Sequence, residues 1–526
     1  MKKTSIFKPW VPNWTIQLVL VICMLHTMAL LGLYTSNISY AASYFDIEPE
    51  DLQFSMSLTY GTFLATILIE SRLFKYFPPR NYLITIYLLS AILFVVSAYT
   101  NDFVVFAFLR ILEGILMALP WIPLRILMLS RTKSPNATII VFSITYGALL
   151  AASPFIVNIA VWLLDTHDWK YMTFGSAIFQ IMVASLIWLT FTANRFHRKI
   201  PLYKVDWTSF VLLTIAILTG VYVLNYGEKL YWFQSENIVI CAITSLVLSA
   251  LFIIRQMTYR RSCFDMSVFS YRNLRLSLLL FIVFYISRAT LTICHTTMSK
   301  VWQWEPLRVA HVQYLNLLGV FIGMTIAGTM MVKKLPTKLI LILGFLTMAI
   351  YHWWFTFLFL PDVALSQMWI PYMLQGVGVG VLFVPLVLNT VSAVPAYLAP
   401  FAGAIGVAGR FWGTNIGFCL VQNFQVYFVN KHRYVFLEKL LPENPTTTGI
   451  VNTIQESFVQ KGYDLAPAAT LALKKVNAGV QTQSFLLGNM ELFTVWGYGL
   501  FLVALYIAFN RHLRFSFNLL KNKYFS

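Results

Sequence analysis

The chain has 526 residues, of which 59% are hydrophobic and only 11% are charged, and its formal net charge is +18. A soluble domain has about 25% charged residues, so this composition excludes an ordinary soluble protein and indicates a membrane protein. The positive charge does not indicate nucleic-acid binding, because the basic residues are divided among loops between long apolar segments.

Apolar segments long enough to cross a membrane recur along the whole chain. Each covers roughly 18 to 25 residues, the length with which a helix crosses about 30 Å of hydrocarbon. Because lipid offers the backbone no hydrogen-bond partner, we predict that every segment is helical and that the fold class is all-α. The predicted spans 1 to 14 are residues 14–38, 52–74, 81–99, 103–130, 138–162, 170–193, 207–226, 235–255, 274–298, 307–331, 337–359, 367–390, 399–426 and 488–509.

The distribution of positive charge predicts the orientation. Most of the 38 lysines and arginines lie in segments on the same side as residue 1, so both termini are predicted to be cytoplasmic. An even number of spans requires the same arrangement. The apolar stretch from Ile16 to Leu33 is too long for the core of a signal peptide, so we expect it to be retained as span 1.

No sequence pattern predicts a metal site or catalytic chemistry. The cysteines are scattered without the spacing of metal ligands, and we expect no disulfide, metal or cofactor. No cluster of acidic, His or Cys residues lies at a membrane face, which argues against a membrane-embedded enzyme. The five cysteines are Cys23, Cys241, Cys263, Cys294 and Cys419.

A segment of span 4 has a counterpart in span 12. Residues 112–124 align without gaps with residues 374–386, and Glu113 stands opposite Gln375. The match is either a coincidence between apolar segments or the trace of an internal repeat. If spans 4 and 12 correspond, spans 1–6 pair with spans 9–14, and spans 7 and 8 are an inserted hairpin. This 6 + 2 + 6 arrangement divides the chain into residues 1–194, 195–271 and 272–526.

Several short motifs occur in an order typical of one transporter family. Arg110-Ile-Leu-Glu-Gly114 lies in span 4, Asp206-Trp207 opens span 7, and residues 409–417 in span 13 read Gly-Arg-Phe-Trp-Gly-Thr-Asn-Ile-Gly. In these motifs the chain resembles the fourteen-helix drug:proton antiporters of the major facilitator superfamily. The resemblance implies a small-molecule exporter of the bacterial inner membrane. Its outer loop, residues 427–487, would either bind a periplasmic adaptor that joins an outer-membrane channel or cover the outer vestibule.

The chain departs from the family pattern at positions linked to proton coupling. Where the family commonly has an acidic residue in span 1, this sequence has Tyr34. The loop after span 2 lacks the family's aspartate but keeps basic residues, Arg72, Lys75 and Arg80, which we expect to help close the cytoplasmic side. Span 5 keeps only Pro154 of a Gly-Pro motif. These losses leave the expected fold intact but remove the usual span 1 carboxylate.

Arg110 and Glu113 are three residues apart in span 4, so a helix places them on one face, where they can meet. Two interpretations are open. The two residues form a structural pair that neutralises itself, or Glu113 exchanges a proton with a cavity while Arg110 favours its charged form. Glu113 stands where the family usually has Gln, in a chain without the span 1 acid, and this favours the second interpretation.

Other side chains within the spans are candidates for a substrate cavity. Arg288 and His295 in span 9 are seven residues apart, so they are predicted to lie nearly on one face. Aromatic rings supply contact area and can stack on cations, which suits lipophilic substrates. The cavity candidates are Tyr34, Trp121, Tyr146, Tyr285, Arg288, His295 and Arg410.

Small and helix-bending residues are predicted to serve helix packing, in particular Gly114, Pro154 and Gly376. The same prediction applies to the row Gly403, Gly406 and Gly409 in span 13. Glu70 lies near the cytoplasmic end of span 2, where Arg72 or water can satisfy it. We therefore expect Glu70 to have a structural or gating role.

The sequence predicts a proton-coupled transporter, surrounded by membrane lipid, that exports lipophilic or amphipathic compounds by alternating access. An alternative is the export of a specific anionic metabolite, such as a siderophore or an organic acid, which Arg288, His295 and Arg410 would suit. A membrane sensor that transports nothing is a further alternative.

Overall fold

The computed structural model describes residues 6–31, 33, 44–195, 199, 201–259, 261–440 and 445–510, and these residues form an α-helical bundle. Within them, thirteen segments are long and apolar enough to cross a membrane. A shorter apolar stretch lies in the helix Asn13–Leu31, at the position of span 1. The prediction of an all-α membrane fold is confirmed.

The remaining helices follow the predicted spans, whose numbers we keep. Spans 2 to 8 are the helices Pro49–Tyr76, Pro79–Ala98, Phe103–Ala118 with Trp121–Arg131, Ala137–Thr166, Trp169–Thr190, Trp207–Tyr226 and Glu236–Thr258. Spans 9 to 14 are Arg272–Arg288 with Leu291–Lys300, Pro306–Val332, Thr337–Thr356, Leu365–Ser392, Ala399–Lys439 and Leu465–Phe509. The helix Pro445–Val459 lies between the last two.

Spans 4 and 9 are each interrupted in the middle. In span 4 the second helix starts after Pro120, whose ring and missing N–H are incompatible with a continuous helix. Span 9 has no proline at its break. There the hydroxyl groups of Ser287 and Thr290 donate to the carbonyl oxygens of Phe284 and Ser287, both at 2.8 Å, and such local bonds compete with the helix ladder.

The contacts between spans repeat with an offset of eight. Span 2 packs on span 4, and span 10 packs on span 12 in the same way. Span 3 packs on span 6, as span 11 packs on span 14. Span 1 packs on span 5, as span 9 packs on span 13. Between these two sets, span 5 contacts span 10 and span 2 contacts span 13, which is the same relationship again. Span 7 contacts spans 2 and 13. The repeated packing supports an internal repeat over a coincidental sequence match.

The aligned glycines of the repeat occupy equivalent contacts. A Cβ atom added to Gly114 would lie 2.1 Å from the carbonyl oxygen of Thr59 in span 2. At Gly376 it would lie 2.0 Å from the carbonyl oxygen of Asn316 in span 10. Spans 2 and 4, and likewise spans 10 and 12, therefore meet backbone against backbone, as small residues allow in membranes. The hydroxyl group of Thr62 adds a 3.1 Å bond to the carbonyl oxygen of Ile111.

The helices of spans 13 and 14 extend well beyond a membrane's thickness. They contain 41 and 45 residues, or about 60 Å each at 1.5 Å per residue, against about 30 Å of hydrocarbon. Residues 465–487, which the sequence assigns to the outer loop, are therefore the first part of the span 14 helix. Lys431 and Glu491 join the two helices by a 2.6 Å ion pair, and Gly488 packs against Val429. These contacts keep the extensions side by side.

An ion pair fastens the two helices of the hairpin. Asp206 precedes span 7, is fully buried, and accepts hydrogen bonds from Nε and Nη2 of Arg255 in span 8 at 3.1 and 2.9 Å. It also accepts from the backbone N–H of Ser209 at 3.2 Å. Burial alone would raise the pKa of Asp206, but the bonds from Ser209 and Arg255 and the charge of Arg255 outweigh it and lower this pKa.

We expect Gly114→Ala and Gly376→Ala each to destabilise the purified protein by about 1–3 kcal/mol, because the added methyl group meets a backbone oxygen that cannot rotate away. The measurement is the thermal midpoint in detergent. Gly328→Ala in span 10 is the matched control, because its Cβ atom would meet nothing within 4 Å. Equal midpoints for all three variants would contradict the close contact.

Acid should remove the stabilisation that Asp206 provides. Because its folded-state pKa lies below the unfolded value of about 3.9, the stabilisation is complete above about pH 5 and is lost as the pH falls through the folded value. We expect Asp206→Asn to unfold at a lower temperature than the wild type at pH 7, and the difference to shrink below about pH 4. A difference that stays constant down to pH 3 would show that the carboxylate charge is not the cause.

Candidate functional site

A pocket lies where the two sets of spans meet. Spans 2, 4 and 5 line one side and spans 9, 12 and 13 line the other, around about 400 Å³ of empty space that includes the mouth. The lining residues are Phe63, Trp121, Tyr146, Phe281, Val387, Thr390, Val391, Ala402, Gly403, Gly406, Val407 and Arg410. Three of the predicted cavity residues, Trp121, Tyr146 and Arg410, are among them.

Aromatic rings connect the two sides of the pocket. The ring centroids of Trp121 and Tyr146 are 6.3 Å apart, and Tyr146 meets Phe383 of span 12 edge-on at 5.1 Å. Phe383 in turn lies 6.0 Å from Tyr285 of span 9. Tyr285, a fourth predicted cavity residue, thus belongs to the same aromatic cluster. Such rings offer area to an apolar ligand without fixing one orientation.

Two arginines face this cluster. The Cζ atom of Arg410 lies 4.8 Å from the ring centroid of Tyr60 and 6.0 Å from that of Tyr285. The Cζ atom of Arg288 lies 5.5 Å from the centroid of Tyr285. Among the ion pairs in the described part of the chain, none includes either arginine. Both guanidinium groups therefore lie beside tyrosine rings, which attract cations.

Arg288 and His295 lie in different helices of span 9. The first helix ends at Arg288 and the second begins at Leu291, and that the two side chains share a face stays a prediction. His295 shares a 2.7 Å hydrogen bond with the hydroxyl group of Tyr372 in span 12. It is not among the residues that line the pocket.

Arg110 and Glu113 form a buried ion pair, as both interpretations of the sequence require. Their side chains are only 3% and 5% exposed, and atom Nη2 of Arg110 contacts Oε2 of Glu113. The second carboxylate oxygen, Oε1, has no hydrogen-bond partner in the described structure. Neither residue lines the pocket, and the pair lies next to Gly114, where span 4 contacts span 2.

Glu70 is fully buried, and neither of its carboxyl oxygens has a hydrogen-bond partner among the described residues. The expectation that Arg72 satisfies it was wrong. Arg72 instead donates to the carbonyl oxygen of Ser262, at 2.9 Å, in the linker before span 9. The cations that act on Glu70 are Arg125 and Lys75. An acid directly after the apolar run Ile67-Leu68-Ile69 was the sequence signal for this buried carboxyl.

Sequence comparisons find relatives that are similar over most of the chain. Fatty acid resistance protein FarB of Neisseria gonorrhoeae is 24% identical over 406 residues, which cover 76% of both chains. Multidrug export protein EmrB is 22% identical in Haemophilus influenzae, over 78% of this chain and 79% of that protein. In Escherichia coli K12 it is 21% identical, over 71% and 73%. No protein-family model matches the sequence.

Solved structures give the fold. The proton:xylose symporter XylE, bound to 6-bromo-6-deoxy-D-glucose, is 12% identical with a TM-score of 0.51, covering 94% of this chain and 95% of that one. A POT family transporter in complex with a thioalcohol-conjugated peptide is also 12% identical, with a TM-score of 0.57 over 94% and 96%. The chain therefore has the fold of major facilitator transporters, and in sequence it resembles the EmrB-like exporters. The predicted resemblance and the multi-pass location in the bacterial inner membrane are confirmed.

The three basic residues of the loop after span 2 do not form one cluster. Arg72 contacts the linker before span 9, whereas the guanidinium group of Arg80 lies 5.7 Å from the ring of Trp188 in span 6. Lys75 acts on Glu70. Among the side-chain hydrogen bonds of the described residues, Arg72 is the one of these three that takes part, and it joins span 2 to the linker before span 9. Tyr34 lies outside the described residues.

The helix containing Pro154 also carries a contact that the sequence did not reveal. The side-chain amide of Asn158 donates to the carbonyl oxygen of Pro154 at 2.8 Å and to that of Ala310 in span 10 at 2.9 Å. Asn158 thereby links spans 5 and 10, which belong to different sets of spans.

The glycines of span 13 divide into two groups. At Gly403 an added Cβ atom would meet nothing within 4 Å, and at Gly406 only Thr390 at 3.7 Å, so both open onto the pocket. At Gly409 it would lie 2.5 Å from Leu278 of span 9. The sequence predicts close packing for the whole row. The difference arises because Gly403 and Gly406 face the pocket, whereas Gly409 faces span 9.

Proposed function

We propose that this protein exports lipophilic or amphipathic compounds from the cytoplasm in exchange for protons. Residues 1–194 and residues 272–526 would alternate in opening the central pocket to the two sides of the membrane. The observation that carries the proposal is the aromatic pocket at the junction of the two sets of spans, because a site between two moving halves can face either side. Relatives named as multidrug export and fatty acid resistance proteins support export as the direction.

The proposed arrangement contains fourteen spans with both termini in the cytoplasm. The helix Asn13–Leu31 supplies the first span, and residues 195–271 form the inserted hairpin. The contacts of span 7 with spans 2 and 13, one from each set, suit a hairpin that was added at the edge of a two-part bundle. The charge distribution of the loops supports the orientation.

Glu113 is the proposed proton carrier, with Arg110 as its partner. Protonation of Glu113 would leave Arg110 as an uncompensated buried charge, which costs several kcal/mol in a dry interior. The pair lies next to the backbone contact between spans 2 and 4. A change in its protonation would therefore change the relative energy of conformations that differ in solvent access to span 4, and this links proton binding to movement.

The extended helices of spans 13 and 14 are the proposed contact surface for a periplasmic adaptor and, through it, an outer-membrane channel. Their extensions are held together by Lys431, His432 and Glu491 and carry the helix Pro445–Val459. Two helices that are held side by side form a rigid projection. Such a projection suits the binding of a partner better than it suits covering the mouth of the pocket, because it cannot bend over the mouth.

The proton path is tested with everted, energised vesicles at matched expression. A panel of lipophilic cations and organic anions is added, and proton release is measured for wild type, Glu113→Gln and Glu70→Gln. We expect a compound that collapses the gradient with the wild type and with Glu70→Gln to have no effect with Glu113→Gln, because Gln cannot exchange a proton. Loss with Glu70→Gln alone would move the proton site to Glu70. No response from any protein would contradict proton-coupled export.

The pocket is tested by filling it. Gly403→Leu should lower the export of every transported compound without lowering expression, because its side chain enters the empty space between spans 12 and 13. Gly328→Leu is the matched control, since it adds the same side chain to a membrane helix where nothing lies within 4 Å. Equal export by the two variants would show that substrates do not pass through this pocket.

A further inference from the structure

Two basic side chains meet at one tryptophan ring near the ends of spans 3 and 6. The Nζ atom of Lys8 lies 5.2 Å from the ring centroid of Trp188, and the Cζ atom of Arg80 lies 5.7 Å from the same centroid. Trp188 is 54% exposed and lies in the last turn of span 6. Tryptophan is enriched where a membrane helix passes from lipid to water, so this cluster lies at the level of the lipid headgroups.

Backbone hydrogen bonds hold Lys8 in this place. Its N–H donates to the carbonyl oxygen of Thr190 at 3.0 Å, and the N–H of Thr192 donates to the carbonyl oxygen of Ile6 at 2.7 Å. The segment before span 1 is thereby paired with the end of span 6. The Nζ atom of Lys8 donates to the carbonyl oxygen of Trp188 at 3.1 Å, which leaves two of its three N–H bonds for a further acceptor.

No carboxylate in the described part of the chain forms an ion pair with Lys8 or Arg80. The Nε atom of Arg80 is buried and has no hydrogen-bond partner among the described residues. Glu70, the acid nearest to Arg80 in sequence, is buried within span 2, and the cations that act on it are Arg125 and Lys75.

The basic residues at this end of the first six spans are not balanced by acids. Four segments that the proposed orientation places in the cytoplasm contain lysines and arginines but no aspartate or glutamate. Like charges that lie close together repel each other, so an anion that joins Lys8 and Arg80 stabilises this end of the protein. The four segments are residues 1–13, 71–80, 131–136 and 191–205.

Apolar side chains of the same two spans are exposed on the outside of the bundle. Spans 3 and 6 pack on each other, and Leu88 and Ile92 of span 3 and Ile181 of span 6 are exposed. In a membrane such side chains lie against acyl chains. A pair of cations at the end of an apolar surface matches a phospholipid, in which a charged phosphate is joined to hydrocarbon chains.

We propose that spans 3 and 6 bind an anionic phospholipid at their cytoplasmic ends, with its phosphate group held by Lys8 and Arg80 and its acyl chains against the exposed apolar side chains. Basic clusters beside membrane helices attract the anionic lipids of the cytoplasmic leaflet. The lipid would join the segment before span 1 to spans 3 and 6. This inference goes beyond export and uses only the orientation from the proposed function.

Two lipids with the same acyl chains test the site. Dioleoyl phosphatidylglycerol has a net negative charge, whereas the choline group of dioleoyl phosphatidylcholine neutralises the same phosphate. Each lipid is added to the full chain in detergent, and binding is measured by native mass spectrometry and by the thermal midpoint. We expect phosphatidylglycerol to bind at least about tenfold more tightly, and this preference to shrink as the salt concentration rises. Inorganic phosphate should leave the midpoint unchanged.

Variants assign the headgroup to the two cations. Lys8→Gln and Arg80→Gln should each weaken phosphatidylglycerol binding by roughly fivefold, the effect of one basic residue beside an anionic lipid surface. Lys8→Arg and Arg80→Lys keep the charge and should bind like the wild type. Lys170→Gln is the matched control and should leave the affinity unchanged. The Nζ atom of Lys170 lies 5.6 Å from the ring centroid of Tyr99, a similar contact at the opposite ends of spans 6 and 3.

The wild-type protein offers a measurement that a misfolded variant cannot disturb. Acetic anhydride acetylates accessible lysines, and mass spectrometry of the peptides reports each position. Phosphatidylglycerol should slow the acetylation of Lys8 and leave that of Lys170 unchanged, whereas phosphatidylcholine should protect neither.

The outcomes for the lipid site and for export are distinct. Equal affinity for the two lipids, no protection of Lys8, or the same loss of affinity in Lys170→Gln as in Lys8→Gln would refute the site. An equal rise of the midpoint with inorganic phosphate would indicate a site for a free anion and would also refute the lipid site. None of these measurements involves transport, so they leave the proposed export untouched, and a failure of export in vesicles leaves the lipid site standing.

Discussion

The close contact of span 4 with span 2 at Gly114, repeated between spans 12 and 10 at Gly376, sets the geometry of the pocket. In hydrocarbon, apolar side chains gain little from leaving lipid for protein, so helices associate through close packing and hydrogen bonds. Contact through backbone atoms fixes both the distance and the rotation of each pair. With span 4 fixed in this way, the helix that restarts after Pro120 places Trp121 in the pocket. Phe383 reaches the same place from span 12.

Buried charge is handled in three different ways in this bundle. Arg110 and Glu113 neutralise each other within one helix. Glu70 has no hydrogen-bond partner among the described residues. Arg288 and Arg410 stack on tyrosine rings beside the pocket. Burying an ionisable group within a membrane costs free energy, so helix packing alone does not explain any of these three arrangements. The first two lie in the first set of spans and the third lies in the second set.

Much of the fold was accessible from sequence because hydrophobic length is a strong signal in membranes. Thirteen of the predicted spans have counterparts among the described helices, and the repeat between spans 4 and 12 located Gly114 and Gly376 at equivalent contacts. The prediction failed where it assumed that a span is one helix. At the break at Ala289 and Thr290, local hydroxyl bonds compete with the helix ladder, and nothing in the apolar pattern marks it.

The site was harder to predict than the fold, because its residues come together from six spans. Trp121, Tyr146 and Arg410 were predicted from their type and depth, but their neighbours Phe63 and Phe281 look like any other core residue in sequence. Gly403 and Gly406 were assigned to packing because helical spacing cannot tell a glycine that faces a neighbour from one that faces a pocket. For Glu70, closeness in sequence indicated Arg72 as a partner. In the structure Arg72 instead donates a hydrogen bond to the linker before span 9.

The two halves of the repeat differ at the position where Glu113 aligns with Gln375. Gln375 accepts a 2.5 Å hydrogen bond from Asn316, so the second half fills this position with neutral groups where the first half has an ion pair. The buried acids Glu70 and Glu113 thus lie in the first half, and the pocket arginine, Arg410, lies in the second. In the proposed exchange, a proton that enters the cell through the first half carries positive charge inwards. The inside-negative membrane potential, worth about 2.3 kcal/mol per charge per 100 mV, would therefore drive that movement.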